Sequence, residues 1–474
     1  MQRRLGMGGK RDQRPTPAGS PTVHRSIDGS AAELEQGRAF RGLDPGVSEQ
    51  RRATRTRDGP TSARVAAEPG RAWKPYRPGV RRTPLALYAL ILFGEIAWQS
   101  LVPLTPDLKE SLGLDATRTG MLLAATPLAI VAVSLPAGVA TDRLGAAWLT
   151  VAAAMLCGAA CVAQGVLAES FAALIACRIV FGLGFAFIWT SGISWLTEAA
   201  GVERRARTLS ITIALAGISS FVGPGFAGLL AERTGPGLPF TLAGIALVVP
   251  ALVLVVPARR DPRITLASVP LRDWIGRTMS SRVAVAGLVT MTAGGLAMSA
   301  INLLVPLDLD ARGMGSAGIG AVYAVSACFF TFTSVVAARM GNRIASPALG
   351  GVTLLGLSAL TVLPFLRDDA ASIITFVLAR APFTALLFAS AFAVGLVGAD
   401  EVAVGRGAMM GLLNLVWAAA SFAGPPLAGA LRDSAGRGTA WIVLTVMMAV
   451  SAPVGLRATR NRRNARDAMV LPPP

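Results

Sequence analysis

Charge is scarce in this chain and histidine is almost missing. Of 474 residues, 15% are charged, against about 25% in an ordinary soluble domain. The shortage is uneven, since from Thr83 onward long stretches carry no charge at all. The single histidine, His24, lies near the N-terminus. A histidine proton relay, a histidine-based triad and most zinc sites are therefore excluded downstream. The four cysteines, Cys157, Cys161, Cys177 and Cys328, all fall in apolar stretches without ligand-spaced partners. They read as small buried hydrophobes and not as metal ligands. No Walker loop, His-Glu-x-x-His or Gly-x-Ser-x-Gly occurs in the apolar region, so no enzyme and no cofactor is expected. Only three lysines, beside abundant Ala, Gly and Arg, point to a GC-rich bacterial source.

What the chain has instead is apolar runs. About 20 residues at 1.5 Å rise span the ~30 Å hydrocarbon core of a bilayer. Twelve such runs are predicted at about 85–104, 119–140, 146–167, 170–196, 208–231, 238–257, 283–307, 316–338, 347–366, 371–399, 407–431 and 438–456. The expected fold class is an all-α integral membrane protein, with twelve transmembrane helices in two pseudo-symmetric six-helix halves. The halves are 83–257 and 283–456, joined by a basic linker, 258–282. Residues 1–82, rich in Arg, Pro, Gly and Ser, read as a disordered basic tail, and 457–474 as a second basic tail.

The net charge of +18 is concentrated outside the spans. Residues 1–82 hold 18 Lys/Arg against 8 Asp/Glu, and 457–467 hold five Arg against one Asp. Basic segments beside apolar spans fit anionic lipid and not nucleic acid. Connections after even-numbered spans hold thirteen Lys/Arg and the opposite connections seven. Both termini fall on the richer side and are expected to be cytoplasmic, in a bacterial inner membrane.

The halves repeat. Gly223-Pro224-Gly225-Phe226-Ala227-Gly228-Leu229 and Gly424-Pro425-Pro426-Leu427-Ala428-Gly429-Ala430 match at an offset of 201, and Arg178 and Arg380 lie 202 apart. Internal repeats of this kind accompany transporters whose solute site lies between the halves, near the midplane.

Three motifs follow in order. Gly138-Val139-Ala140-Thr141-Asp142-Arg143-Leu144-Gly145 comes after span two, Arg178-Ile179-Val180-Phe181-Gly182-Leu183-Gly184-Phe185-Ala186 lies in span four, and the Gly-Pro-x-x-Ala-Gly set lies in span five. Together they resemble the major facilitator superfamily over about residues 83–456, in particular bacterial twelve-helix proton-coupled exporters. The resemblance implies a gating loop formed by Gly138, Asp142, Arg143 and Gly145 that latches one state of the carrier. It also implies a helix-kink motif at Gly223, Pro224 and Gly228 that the family associates with antiport. Its recurrence at Gly424, Pro425 and Gly429 leaves a packing role shared by both halves open. Proline removes a backbone donor and kinks the helix, while glycines permit close crossing.

Ionisable groups inside spans carry the chemical signal. A charge at mid-membrane costs ~2.5–3.5 kcal/mol on insertion scales. Glu95 in span one is the candidate proton- and cation-binding group, with Arg178 as its charge partner. A structural Glu95–Arg178 pair is the bland alternative. Tyr88, Trp98 and Gln99 share a helical stripe with Glu95, so the stripe is expected to face the cavity. Further lining candidates are Trp189, Trp195, Asn302, Tyr323, Arg380, Asn414 and Trp417. The leading expectation is proton-coupled efflux of a small amphipathic or cationic compound by a monomeric carrier. An uptake symporter for an organic anion or nutrient is the alternative, because two buried guanidiniums suit an anion. A non-transporting interaction protein is the remote one.

Overall fold

In a hydrocarbon environment every backbone N–H and C=O must find a partner within the protein, which restricts spanning segments to helices or closed barrels. Long runs of Ala, Leu, Val and Gly meet that demand as helices. The computed structural model describes residues 82–200, 204–259, 271–404 and 406–470, and among these there is no strand. Twelve helices are long and apolar enough to cross a membrane. They are α1 (Thr83–Ser111), α2 (Ala116–Ser134), α3 (Ala146–Val166), α4 (Phe171–Ala200), α5 (Ile211–Thr234), α6 (Gly237–Ala258), α7 (Arg282–Asp310), α8 (Ser316–Arg339), α9 (Pro347–Leu366), α10 (Ala370–Glu401), α11 (Met409–Ala435) and α12 (Arg437–Arg460).

Every expected span is found, with shifted ends. Span one reaches Ser111, carried past a turn at Ser100 by Leu101–Ser111. The second helix continues beyond its apolar part to Leu144, and the last continues to Val470. The expected tail, residues 1–82, lies outside the described residues except for Arg82. Of the linker, 260–270 is likewise outside, and Leu271–Ser280 is a short helix.

An even number of spans returns the chain to the face where it entered. We call this the terminal face and the other the distal face. At the distal face the two halves meet along two crossings related by the sequence repeat. In α2 against α11, Gly120 abuts the carbonyl of Pro425 and Gly429 abuts that of Ala116. In α5 against α8, Gly320 abuts the carbonyl of Pro224 and Gly228 that of Ser316. A methyl group at any of these four glycines would strike the facing backbone, so the crossings need glycine. The duplicated Gly-Pro-x-x-Ala-Gly motif is thus the contact surface of both crossings, and the chain stays helical through Pro224 and Pro425.

Acids reinforce both. Asp433, at the end of α11, accepts from the backbone N–H of Ala116 (3.1 Å) and of Thr117 (2.8 Å) and from the Thr117 hydroxyl (2.6 Å). Those amides open α2, where unpaired N–H groups favour a negative charge. Glu232, the repeat equivalent at the end of α5, sets its carboxylate beside Gly315, the cap of α8. Gly138 and Gly411 have open space where a side chain would stand.

The gating segment is not a loop. Gly138 to Leu144 finish the second helix, and Gly145 alone joins it to α3. Gly145 has φ +93°, a conformation that side chains rarely adopt. Arg143 is exposed.

Candidate functional site

Between the halves lies a cavity of about 260 Å³, sealed distally by the two crossings. α1, α2, α4 and α5 of the first half face α7, α8, α10 and α11 of the second. Seven of the candidates named from sequence line it, namely Trp98, Gln99, Arg178, Asn302, Tyr323, Arg380 and Trp417, and Pro224 and Pro425 join them. No carboxylate or lysine is among the described residues that line it.

The two arginines occupy equivalent places in the repeat. Arg178 is 2% exposed and Arg380 5%. Each helix carrying one is tied to its neighbour by a hydroxyl. Thr126 of α2 donates to the backbone oxygen of Arg178 at 3.1 Å, and Ser326 of α8 donates to that of Val377 at 2.9 Å. The guanidinium of Arg178 lies 5.4 Å from the ring centre of Phe181, and that of Arg380 lies 5.6 Å from the ring centre of Tyr323. Arg380 also donates to the Met298 sulfur at 3.4 Å. Even so, Nε and Nη1 of Arg178 and Nε of Arg380 are buried without a hydrogen-bond partner. Cation–π contact and a weak sulfur acceptor are partial compensation for a buried charge.

The expected Glu95–Arg178 pair does not form. Among the described residues no ion pair joins them. The helix register gives the reason. Gly94 lies against the ring of Phe185, so α4 at Phe185 is level with Glu95. Arg178 comes seven residues earlier, roughly 10 Å nearer the distal face at 1.5 Å per residue. Glu95 is instead half-buried beside the indole of Trp189, whose Nε1 has no hydrogen-bond partner. Trp189 sits in a π-helical segment of α4, Ile188–Gly192, a local widening often found at functional sites.

The polar stripe of α1 is therefore split. Trp98 and Gln99 reach the cavity, whereas Glu95 and Tyr88 are absent from its lining. Tyr88 and Trp189 pack on the core of the first half. Trp195 is buried in that core, and Asn414 is exposed on α11. Of the gating residues, Gly138, Arg143 and Gly145 lie at the terminal face, away from the cavity. The side chain of Asp142 lies outside the described set.

Sequence reasoning missed much of the lining. Ser220, Ser299, Ser326, Thr384 and Ser421 supply hydroxyls to it, and Gln99 Nε2 approaches Ser220 Oγ at 3.4 Å. Small hydroxyls in apolar helices are a usable signal, but many serve the backbone of their own helix. The lining also includes Met298, and nothing in the sequence marks its sulfur as an acceptor. Trp98 of one half and Trp417 of the other meet at 6.1 Å between ring centres, with Trp98 also 5.0 Å from Phe185.

Two halves of membrane-length helices about a cavity lined by two arginines have the form of a membrane carrier. The family model of the Major Facilitator Superfamily matches residues 87–405, and the chain belongs to that family. It is 27% identical over 393 residues to a probable vesicular acetylcholine transporter-B of Danio rerio, covering 70% of this chain and 76% of that one. It is 26% identical over 370 residues to human monocarboxylate transporter 11, covering 73% and 75%. Its fold is similar to a bacterial homologue of the human lysosomal transporter Spinster in an inward-facing, unoccupied conformation. The TM-score there is 0.65 at 16% identity, over 80% of this chain and 96% of that one.

Proposed function

We propose that this family member carries a small organic anion by alternating access, with Glu95 as the proton-binding group. The observation that carries the anion is the cavity wall, where two buried guanidiniums hold unpartnered N–H groups and no carboxylate among the described residues lines it. Leaving a buried charge unpaired is strongly unfavourable, and an anionic solute offsets it through charge-assisted hydrogen bonds. A cationic solute would meet two like charges. For this reason the anion ranks above the cationic compound expected from the sequence. Several relatives are named acetylcholine transporters and one a monocarboxylate transporter, so the choice of an anion rests on the cavity wall and not on the names.

Glu95 supports proton coupling by its place. It is an acid at mid-span, half-buried against an indole, and separate from the arginines. Proton and anion then bind different groups and travel together, which favours symport. Duplication of the Gly-Pro-x-x-Ala-Gly motif at both crossings takes weight from antiport. In this reading the terminal face is cytoplasmic, the membrane is a bacterial inner membrane and the carrier works as a monomer.

The test is flux into proteoliposomes under an imposed pH gradient. Benzoate and succinate should enter, Arg178→Gln and Arg380→Gln should abolish entry, and Glu95→Gln should abolish only the response to the gradient. Transport of an organic cation with no anion flux sinks the proposal.

A further inference from the structure

The two guanidiniums differ from an ordinary anion site in one respect, which is that they belong to different halves. Arg178 comes from α4 and Arg380 from α10, both line one cavity, and both are more than nine-tenths buried. Each keeps at least one unpartnered N–H. A singly charged solute compensates one of them and leaves the other buried and uncompensated. Leaving one buried charge uncompensated is strongly unfavourable in a low-dielectric site. A solute with two anionic groups compensates both.

The rest of the wall describes what lies between such groups. Indoles from opposite halves, Trp98 and Trp417, meet within it, and Leu123 and Phe330 add apolar surface. Flat apolar bodies pack on indole faces. A volume of about 260 Å³ equals roughly nine waters at ~30 Å³ each. It accepts a short chain or a single ring.

We infer that the solute is a small dianion with a compact apolar spacer, one anionic group held by Arg178 and the other by Arg380. The inference rests on the anion reading above and narrows it. It also supplies a physical link between binding and motion. A ligand shifts a conformational equilibrium only through its differential affinity for the two states. A solute gripped by one group on each half has a contact that changes whenever the halves rock.

Binding to the purified full-length protein tests this, with matched pairs of acids that differ in one carboxylate. The pairs are terephthalate with benzoate and succinate with butyrate, and benzyltrimethylammonium is the cation. At least one dicarboxylate should bind tenfold or more tightly than its monoacid. Arg178→Gln and Arg380→Gln should each erase that preference, bringing the pair to similar affinity. Arg178→Lys, which keeps the charge, should retain most of it and guards against a variant that only misfolds. Monoacids binding as tightly as their dicarboxylates overturn the two-headed solute while leaving the anion reading intact. Binding of the cation alone, or of none of these probes, overturns both.

Discussion

Asp433 and Thr117 are 316 residues apart in sequence, yet the carboxylate of one accepts both the backbone and the hydroxyl proton of the other, at 2.8 and 2.6 Å. This contact crosses from one half to the other and closes the distal face. Removing a helix cap costs about 1 kcal/mol, and 1.4 kcal/mol is tenfold in an equilibrium constant. Asp433→Ala should therefore raise the distally open population about fivefold. A cysteine at Ser421, buried in the cavity wall, reports it in a background lacking the native cysteines. Its labelling from the distal side by an impermeant maleimide should quicken by that factor, and an unchanged rate would remove Asp433 from the gate.

The glycine crossings make a symmetric prediction. Gly228→Val and Gly429→Val both place side chains against a facing carbonyl, and overpacking costs about 1–3 kcal/mol. Both should reduce flux to a similar degree. A loss confined to Gly228→Val would restore a role particular to α5, as the antiport association requires.

A second charge cluster holds the distal end of the second half. Asp308 of α7 is fully buried, and its carboxylate accepts from Arg432, from Arg437 Nε at 2.8 Å and from the indole N–H of Trp441 at 2.8 Å. Breaking a buried pair from one side typically costs 3–5 kcal/mol. Asp308→Ala should lower the melting temperature in detergent more than any single change at the cavity. Trp441→Phe, which removes one donor only, should cost about 1–2 kcal/mol.

Acid sensitivity has a local source at Asp369. Its carboxylate accepts from the backbone N–H and hydroxyl of Ser372 at 2.8 and 2.7 Å, capping α10. These donors hold its pKa below the usual carboxylate value. A depressed folded-state pKa contributes stability above the unfolded value of ~3.9, and that contribution is lost as pH falls through the folded value. Asp369→Ala should thus lower thermal stability at pH 7, and the difference from the parent should vanish once acid has protonated the carboxylate in the folded state as well. A difference that persists there would mean the cap acts without its charge.

The apolar runs made the helices legible, because a bilayer leaves the backbone few alternatives. The repeat at offset 201 made the halves legible too. Seven cavity residues could be named because aromatic, amide and guanidinium groups are conspicuous in apolar helices. The Glu95–Arg178 pair failed because residue type says nothing of the axial register between α1 and α4, which the Gly94–Phe185 contact sets. The role of Asp308 was invisible for a related reason. Its partners Arg432 and Arg437 count as loop charges in the sequence, whereas α11 ends and α12 begins beside Asp308 of α7. Gly145 was named as part of a loop, and only its backbone angle shows it to be a one-residue joint.

The paired distal crossings also bear on the pace of transport. Alternating access is largely a rocking of one repeat against the other, so both crossings part in the same stroke and their costs add. If each holds by about 2 kcal/mol, the sum slows an unladen stroke roughly a thousandfold, at 1.36 kcal/mol per tenfold. For a carrier that moves proton and solute together, as proposed above, that barrier falls on the empty return stroke and sets its pace. Because the two crossings repeat one motif at an offset of 201 residues, their separate rate factors multiply.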